Sequence, residues 1–412
     1  MHRVVVTGMS AITALGDNWT DFSAKLKKGE NAVQYHELWD GYDELNTRLA
    51  APVLDFEKPK HYSRKQCRSM GRVSIMATTA TEQALQQADL LDSELLTNGD
   101  MGIAYGSSTG STAPFVDFAN LLSDKSMTGI TSTSYIKMMA HTTAVNVGVF
   151  FGVKGRVYTT SSACTSGSQA LGYAYEAIKY GKQTAMIAGG AEELCVTIAA
   201  VFDTLFATST QNDDPQNNPK PYDKDRDGLV IGEGACSFIL ESYESAKARG
   251  ATILAELVGY GTNSDGQHVT QPSADTMQIA MEMAIEDASI KPSDIGYVNG
   301  HGTATDKGDI AETQATEKAL GKNTPISSLK SYLGHTLGAC GAIEAWASIN
   351  MMKDNWFAST ANLENIDPQC GDLNYIQGEG LTKKTDFIMT NNFAFGGINT
   401  SLIFKKYKQP SS

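Results

Sequence analysis

The chain has 412 residues, 41% of them hydrophobic and 19% charged, enough to bury one large core or two similar ones. Its formal charge of -13 at pH 7 excludes a nucleic-acid surface over much of the molecule, because phosphate binding needs an excess of Lys and Arg; an acidic partner is left only a local basic patch. The longest apolar runs fall far short of a bilayer span, nothing at the N-terminus resembles a signal peptide, and no cysteine pair has CxxC spacing, so the expectation is a cytoplasmic protein with reduced thiols.

Short apolar β-like runs alternate with longer helical segments, the sign of an α/β protein with sheets packed between helices. RVVVTGMSAITALG opens the chain as strand, glycine turn and small-residue segment, and MGIAYGSSTGS, RVYTTSSAC and AMIAGGAEE follow as further strand and turn units. Ser209 to Gly228 is too rich in Pro, Asn and Asp for a regular element and is expected as a surface loop. Near residue 250 the pattern restarts: ILAELVGYGTNSDG reads as strand and polar turn, TMQIAMEMAIEDASI as helix, IGYVNGHGT as strand and glycine turn. PISSLKSYLGHTLGACGAIEAWASINMMK then repeats the strand, loop, helix theme, which predicts two related halves, 1–250 and 251–412. Late in the chain, TNNFAFGGINTSLIF is a glycine-bearing turn between two β-like runs. Its Phe393 and Phe395 either cover an apolar pocket or pack as the core aromatics of a hairpin.

The candidate nucleophile is Cys164, placed where the Thr/Ser-rich run Val157 to Ala163 gives way to helix-forming residues with Leu171, Ala174, Ala177 and Ile178 at partly helical spacing. Unpaired N–H groups and the positive end of a helix dipole there favour the thiolate that attacks a carbonyl. Small neighbours, Ala163, Ser166 and Gly167, leave room for a substrate. The other five cysteines lie outside any comparable junction and read as structural.

Two histidines, His301 in VNGHGTATDKGD and His335 in SLKSYLGHTLGACGAIE, sit in Gly- and Thr-rich loops after strand candidates, with Thr303 and Thr305 able to bind a polar chain. One thiol with two neutral imidazoles suits acyl transfer followed by carbanion chemistry. The same three residue types also make a zinc shell, but no HExxH or paired spacing supports one. Lys330 and Glu344 flank His335 and, if buried together, stay charged and bias the histidines; as a surface pair they contribute little.

ACTSG at 163–167, HGTATDKGD at 301–309, LKSYLGH at 329–335, GACGAIE at 338–344 and NNFAFGGIN at 391–399 together resemble the β-ketoacyl-[acyl-carrier-protein] synthases, over essentially the whole chain. The likeness is strongest to the elongating synthase II branch and to the ketosynthases of type II polyketide systems. It implies a thiolase fold, two similar halves stacked as a five-layer αβαβα core, usually in a homodimer or in a heterodimer with a homologous ketosynthase or chain-length factor. It also implies that Cys164 carries the acyl group and that its N–H and that of Phe395 form an oxyanion hole. His301 and His335 would hold the thioester of malonyl carrier protein during decarboxylation, Lys330 would be the active-site lysine, and Glu344, Asp309 and Glu312 its supporting carboxylates. Thr303 and Thr305 match the hydroxyls that hold the pantetheine arm, Thr109 and Phe202 fall at the acyl pocket, and Phe395 matches a gating aromatic. Arg64, Lys65 and Arg68 match part of a carrier-protein docking patch. Substrates would ride on the phosphopantetheine of an acyl carrier protein, with no metal or separate cofactor. AFGGIN replaces the usual GFGGTN, Thr109 replaces a bulky aliphatic residue, and Thr128, Gly129 and Phe206 stand near positions that are often basic. These departures favour a specialised polyene or polyketide-like pathway. A noncatalytic chain-length subunit is the alternative, and the retained Cys164, His301, Lys330 and His335 argue against it.

Overall fold

A computed structural model describes residues 1–408; residues 409–412 of the expected second half lie outside the described residues. Eleven strands form one hydrogen-bonded ladder: β1 (Val4–Thr13), β2 (Met101–Gly106), β3 (Val157–Thr159), β4 (Ala185–Glu192), β5 (Gly234–Ser242), β6 (Ala255–Ser264), β7 (Ile295–Asn299), β8 (Pro325–Ser327), β9 (Asn374–Tyr375), β10 (Phe387–Ala394) and β11 (Ile398–Lys406). The spatial order is β9-β8-β7-β10-β11-β6-β1-β5-β4-β2-β3. In the first half β3, β2 and β4 run parallel, and β5 and β1 follow antiparallel. The second half repeats this order with β8, β7 and β10 parallel and β11 and β6 antiparallel. The two half-sheets meet only through Val4, Val5 and Val6 of β1 opposite Leu257, Glu256 and Ala255 of β6.

Seven helices complete the layers: α1 (Arg72–Gln87), α2 (Thr142–Phe151), α3 (Ser166–Lys179), α4 (Val196–Asp203), α5 (Ala274–Ala288), α6 (Asp306–Leu320) and α7 (Cys340–Asp354). Helices α1 and α2 cover the outside of the first half-sheet, and α5, backed by α6, covers the second. Between the sheets lie α3 and α7, each touching strands of both halves. Helix α7 is buried from Cys340 to Met352, so apolar and small residues surround it instead of forming one stripe, with Glu344 and Asn350 as its larger buried polar residues. Leu171 and Ile178 of α3 and Ile343, Trp346 and Ile349 of α7 share one core with both sheets, giving the five layers that the sequence resemblance implies.

The duplication extends to single atoms. Gly8 was expected in a turn, yet β1 runs through it, because a Cβ there would lie 2.2 Å from the Ala84 carbonyl oxygen and 3.0 Å from Ala88 Cβ on α1. In the other half, a Cβ at Gly259 of β6 would lie 2.3 Å from the Ala284 oxygen and 2.9 Å from Ala288 Cβ on α5. Each outer helix thus approaches its sheet through the gap that one glycine leaves.

The segment 209–228 corrects the expectation of a surface loop. Only Pro215–Asn217 is regular, as a 3-10 turn, but Asn218, Tyr222 and Asp223 are buried. Its polar groups go inside because the second half pairs them: Tyr222 N–H donates to Asp309 at 2.8 Å, Asp223 accepts the N–H groups of Glu364 and Asn365, and Arg226 bonds Asp367 at 2.7 Å. The loop is a strap that ties the first half to the second.

Gly259→Ala should destabilise the protein by about 1–3 kcal/mol through overpacking against the Ala284 carbonyl. The check is the urea midpoint, with Gly250→Ala as the comparison, since nothing lies within 4 Å of a Cβ there, although its φ of +71° adds backbone strain of its own.

Candidate active site

Cys164 lies in the 3-10 turn Ala163–Thr165 ahead of α3 and is 4% exposed. Ala163 enters the turn with φ 51°, a left-handed conformation costing a non-glycine residue about 1–3 kcal/mol. The second half repeats the device: Leu337, φ 46°, opens the turn Leu337–Ala339 ahead of α7. Cys340 starts α7 between Ala339 and Gly341, but the turn and not a strand precedes it, so it stays outside a strand-to-helix junction. The Cys340 thiol donates to the Cys164 carbonyl oxygen at 3.3 Å.

The helix-terminus argument for a thiolate is also corrected. Burial pushes the Cys164 thiol up to about 12, against the downward pull of the Lys330 charge and of the N–H groups of Phe395 and Cys164 itself. Desolvation of the anion outweighs the favourable dipoles, so burial raises the thiol where the helix terminus alone would lower it. The two N–H groups that act on the sulfur are those expected to face a carbonyl oxygen bound there.

Both histidines have their tautomers set by neighbours. Leu337 N–H donates to His335 Nδ1 at 3.2 Å, so the neutral ring carries its proton on Nε2, which lies 3.0 Å from Cys164 Sγ. His301 Nδ1 faces two donors, Lys330 Nζ at 3.2 Å and Asn392 Nδ2 at 3.4 Å, so its proton also sits on Nε2. Burial, and then the Lys330 charge, hold both imidazoles well below the usual histidine pKa. The rings stand edge to face with centroids 5.2 Å apart. The site therefore holds a thiol and two neutral N–H donors. Ligand atoms of Cys164, His301 and His335 lie within 4.8 Å of one another, close enough for a soft metal, but the Lys330 ammonium beside His301 opposes a cation.

Lys330 is 1% exposed and bonds Glu344 Oε1 in a buried ion pair; Glu344 Oε2 accepts from Asn392 Nδ2 at 2.7 Å. Burial alone would lower the lysine, and the Glu344 carboxylate reverses that, leaving the ammonium above its ordinary value. Glu312 accepts the backbone N–H groups of His301 and Gly302, and burial, then Asp309, push its carboxyl up to about 8. Asp309, raised to about 6 by burial and held down by Arg226, accepts the N–H groups of Thr303 and Ala304. The supporting carboxylates thus hold the backbone of the His301 loop.

Residues the sequence reading missed complete that frame. Tyr222 OH lies where Cβ atoms at Gly300 and Gly302 would fall, at 2.1 and 2.5 Å, which is why His301 stands between two glycines. Asn392 links Glu344, His301 and Cys340; it lies inside the quoted NNFAFGGIN motif, where an amide in a β-like run was the available signal. Glu192, fully buried at the end of β4, accepts from Ser107, Ser108 and Gly338 and has no counterpart signal in the sequence.

A cavity of ≈ 480 Å³ leads to Cys164, His301 and His335, with Thr303, Thr305 and Phe395 on its wall. The two threonine hydroxyls bond each other at 2.9 Å. Phe395, in the turn between β10 and β11, packs on Phe202 of α4 with ring centroids 5.1 Å apart, and both line the cavity with Cys164. The turn is a hairpin loop in which Gly396 and Gly397 have φ 88° and 72°. Gly396 N–H donates to Val269 O and Asp265 N–H to Gly397 O, tying the loop to the segment after β6. Thr109 is not part of this cavity wall; its hydroxyl contacts Glu192 at 3.3 Å. Arg64, Lys65 and Arg68 are exposed and also outside it.

Comparison with known proteins agrees with this geometry. Residues 1–246 match the beta-ketoacyl synthase N-terminal domain and residues 254–364 the C-terminal domain. A 3-oxoacyl-[acyl-carrier-protein] synthase 2 of Synechocystis is 38% identical over 98% of both chains. The crystal structure of a beta-ketoacyl synthase from Burkholderia phymatum superposes with a TM-score of 0.98 at 58% identity, covering 99% of this chain and 100% of that one. A type II polyketide ketosynthase, solved in complex with its acyl-carrier protein and bound to the hexaketide, gives 0.87 at 30% identity, covering 99% and 100%. On these matches and its duplicated fold, the chain belongs to the beta-ketoacyl synthase family of condensing acyltransferases.

Proposed function

We propose that the chain joins an acyl group carried on Cys164 to malonyl-[acyl-carrier protein] by decarboxylative Claisen condensation, giving a β-ketoacyl thioester two carbons longer. The observation that carries this is the pair of imidazoles, His301 and His335, whose Nδ1 atoms both face donors, so that each presents Nε2–H in the cavity that holds the Cys164 thiol. In this reading the first half, 1–250, supplies the nucleophile and the second, 251–412, the two histidines and Lys330.

In the first step Cys164 Sγ attacks the acyl thioester, the N–H groups of Cys164 and Phe395 hold the oxyanion, and the thiol proton leaves on the departing pantetheine sulfur. In the second, carbon dioxide leaves malonyl carrier protein while His301 and His335 donate to the thioester oxygen as it becomes an enolate. The enolate carbon attacks the acyl carbonyl, and Cys164 departs as thiolate and takes up a proton. Fixed donors in a dry site stabilise the enolate more than the ground-state carbonyl, which is the differential binding that lowers a barrier. Burial, reinforced by the Lys330 charge, keeps both imidazoles neutral, so that neither histidine becomes a cation that binds the malonyl carboxylate and retains it.

Thr303 and Thr305 would bond the pantetheine arm, and Phe202 and Phe395 would border the acyl chain. Arg64, Lys65 and Arg68 would form a basic patch for an acidic carrier. Thr109, outside the cavity wall and turned to Glu192, leaves the polyene or polyketide-like preference resting on the sequence departures alone. No described helix is long and apolar enough to cross a membrane, consistent with a cytoplasmic enzyme. The polyketide relative solved with its carrier protein supports the partner assignment, with a homologous subunit as the further partner in a homodimer or heterodimer.

Peptide-resolved mass spectrometry after incubation with acyl carrier proteins of varied chain tests the reading. Wild type should gain the acyl mass on Cys164 and lose it on addition of malonyl carrier protein, and the favoured chain identifies the pathway. Cys164→Ala should not load; equal loading would remove the nucleophile assignment. His335→Ala should load and then condense about 10²–10³ times more slowly, the loss of one preorganised donor. Because Lys330 pulls the raised Cys164 pKa down, Lys330→Met should raise it further and reduce the thiolate fraction, slowing iodoacetamide alkylation of Cys164 by about tenfold for each unit added. An unchanged alkylation rate would contradict that coupling.

A further inference from the structure

One buried carboxylate takes no part in the proposed condensation. Glu192 ends β4 fully buried, and burial raises its carboxyl while the donors of Ser108, Ser107 and Gly338 oppose that rise. Its Oε1 accepts from the hydroxyls of Ser107 at 2.8 Å and Thr109 at 3.3 Å, and its Oε2 from the N–H groups of Ser108 at 2.7 Å and Gly338 at 3.0 Å. Three of these donors belong to the loop after β2, and the fourth to the turn before α7, 146 residues beyond Glu192.

Gly338 owes its importance to the residue before it. Leu337 joins two peptide units: one carries its own N–H, bonded to His335 Nδ1 at 3.2 Å, and the other carries the Gly338 N–H, bonded to Glu192. Between them Leu337 holds φ 46°, a left-handed angle that strains a residue with a Cβ, and rotation to a negative φ would turn one unit relative to the other. Glu192 grips one unit and so keeps the other aimed at His335. The grip admits no side chain: a Cβ on Gly338 would lie 2.8 Å from Glu192 Oε2 and 2.8 Å from Ser108 N.

The first half offers an independent comparison. There Ala163, φ 51°, opens the matching turn, and the next N–H, that of Cys164, acts on the thiol sulfur. In both halves the second N–H of the turn faces a group that bears or develops negative charge. The first half leaves that N–H to the reacting atoms; in the second a resident carboxylate fills the place.

We propose that Glu192 is a positioning residue for His335: its grip on the Gly338 N–H fixes the turn whose Leu337 N–H keeps the imidazole in the form that presents Nε2–H to the cavity. The inference rests on the ketosynthase reading for its effect on rate, whereas the tautomer is a property of the protein without substrate. Residue 192 must supply an acceptor at full reach, because the Ser107 and Thr109 hydroxyls can turn to accept and the backbone N–H groups cannot.

Three substitutions test this. Glu192→Gln keeps an amide oxygen for the two N–H groups, Glu192→Met has similar size and no comparable acceptor, and Glu192→Asp keeps the carboxylate one methylene short. Nitrogen NMR on isotope-labelled histidine, with His335 assigned by its absence from His335→Ala, reads the tautomer. Wild type and Glu192→Gln should show one Nε2–H form, whereas in Glu192→Met and Glu192→Asp the two ring-nitrogen signals should draw together as the proton is shared. With acyl and malonyl carrier proteins, the Met and Asp variants should load Cys164 as wild type does and keep its KM for malonyl carrier protein. They should then condense about 10²-fold more slowly, the cost of about an ångström of misplacement, and Glu192→Gln should recover most of that loss. Melting temperatures are recorded for each, and Glu192→Asp carries the test if Glu192→Met does not fold. Failure of both to fold, a lowered melting temperature with an unmoved His335 signature, a shared proton in wild type, or Glu192→Asp outperforming Glu192→Gln would each overturn the assignment. A wild type that shows the single tautomer, lost in the Met and Asp variants, but never condenses would sink the ketosynthase reading and leave the positioning role standing. Condensation with the tautomer unmoved in every variant would do the reverse.

Discussion

The active site depends on one buried charge. The Lys330 ammonium, paired with Glu344 inside the protein, touches His301 and acts on His335 and Cys164. It adds to the burial that keeps the imidazoles neutral, and it opposes the rise that burial imposes on the thiol. An isolated ammonium could not remain ionised there; Glu344 keeps it charged, and Asn392 satisfies the other carboxylate oxygen. Removing either partner of such a pair leaves an uncompensated charge, a loss of about 3–5 kcal/mol in typical proteins. The pair thus belongs to the fold and to the chemistry together.

The stacking of the halves follows from the need to bring this charge to the nucleophile. Cys164 comes from the turn before α3 and the Lys330–His335 segment from the connection before α7, and the two helices lie side by side between the sheets. Small residues permit the approach: a Cβ at Gly167 would meet the Ala342 nitrogen at 3.0 Å, and one at Gly190 the Gly338 oxygen at 2.2 Å. The same strained turn occurs in both halves, but in the first it is followed by the Cys164 thiol; at the corresponding place in the other stands Gly338, whose N–H is bound by Glu192.

The strap 209–228 shows how the first half also shapes the second half's loops. Tyr222 and Arg226 reach across to Asp309 and Glu312, the carboxylates that hold the backbone of His301, Thr303 and Thr305. The strap leads away from the end of α4, so the mouth of the cavity, the gate partner Phe202 and the brace under His301 lie within one stretch of chain. Substrate admission and histidine placement are consequently parts of a single structural unit.

Much of this was legible in the residues themselves. Cys164, His301, Lys330 and His335 stand in glycine-rich or small-residue settings that strand and helix patterns locate, and the restart of those patterns near residue 250 pointed to duplication. Local patterns suffice for these features because turns, helix starts and alternating apolar residues are determined by neighbours in sequence. Tertiary structure alone decided the rest. The thiol's protonation reversed the helix-terminus expectation because desolvation depends on everything packed around Cys164, and the tautomers depend on Leu337, Lys330 and Asn392, each brought in by the fold. The strap's polar composition looked like a surface loop because its partners, Asp309, Asp367 and the backbone near Glu364, lie about 90–140 residues further along the chain. Cys340 and Glu192 were hidden for the same reason: a side chain's surroundings are a property of the whole fold, whereas its sequence neighbours record only the path of the backbone.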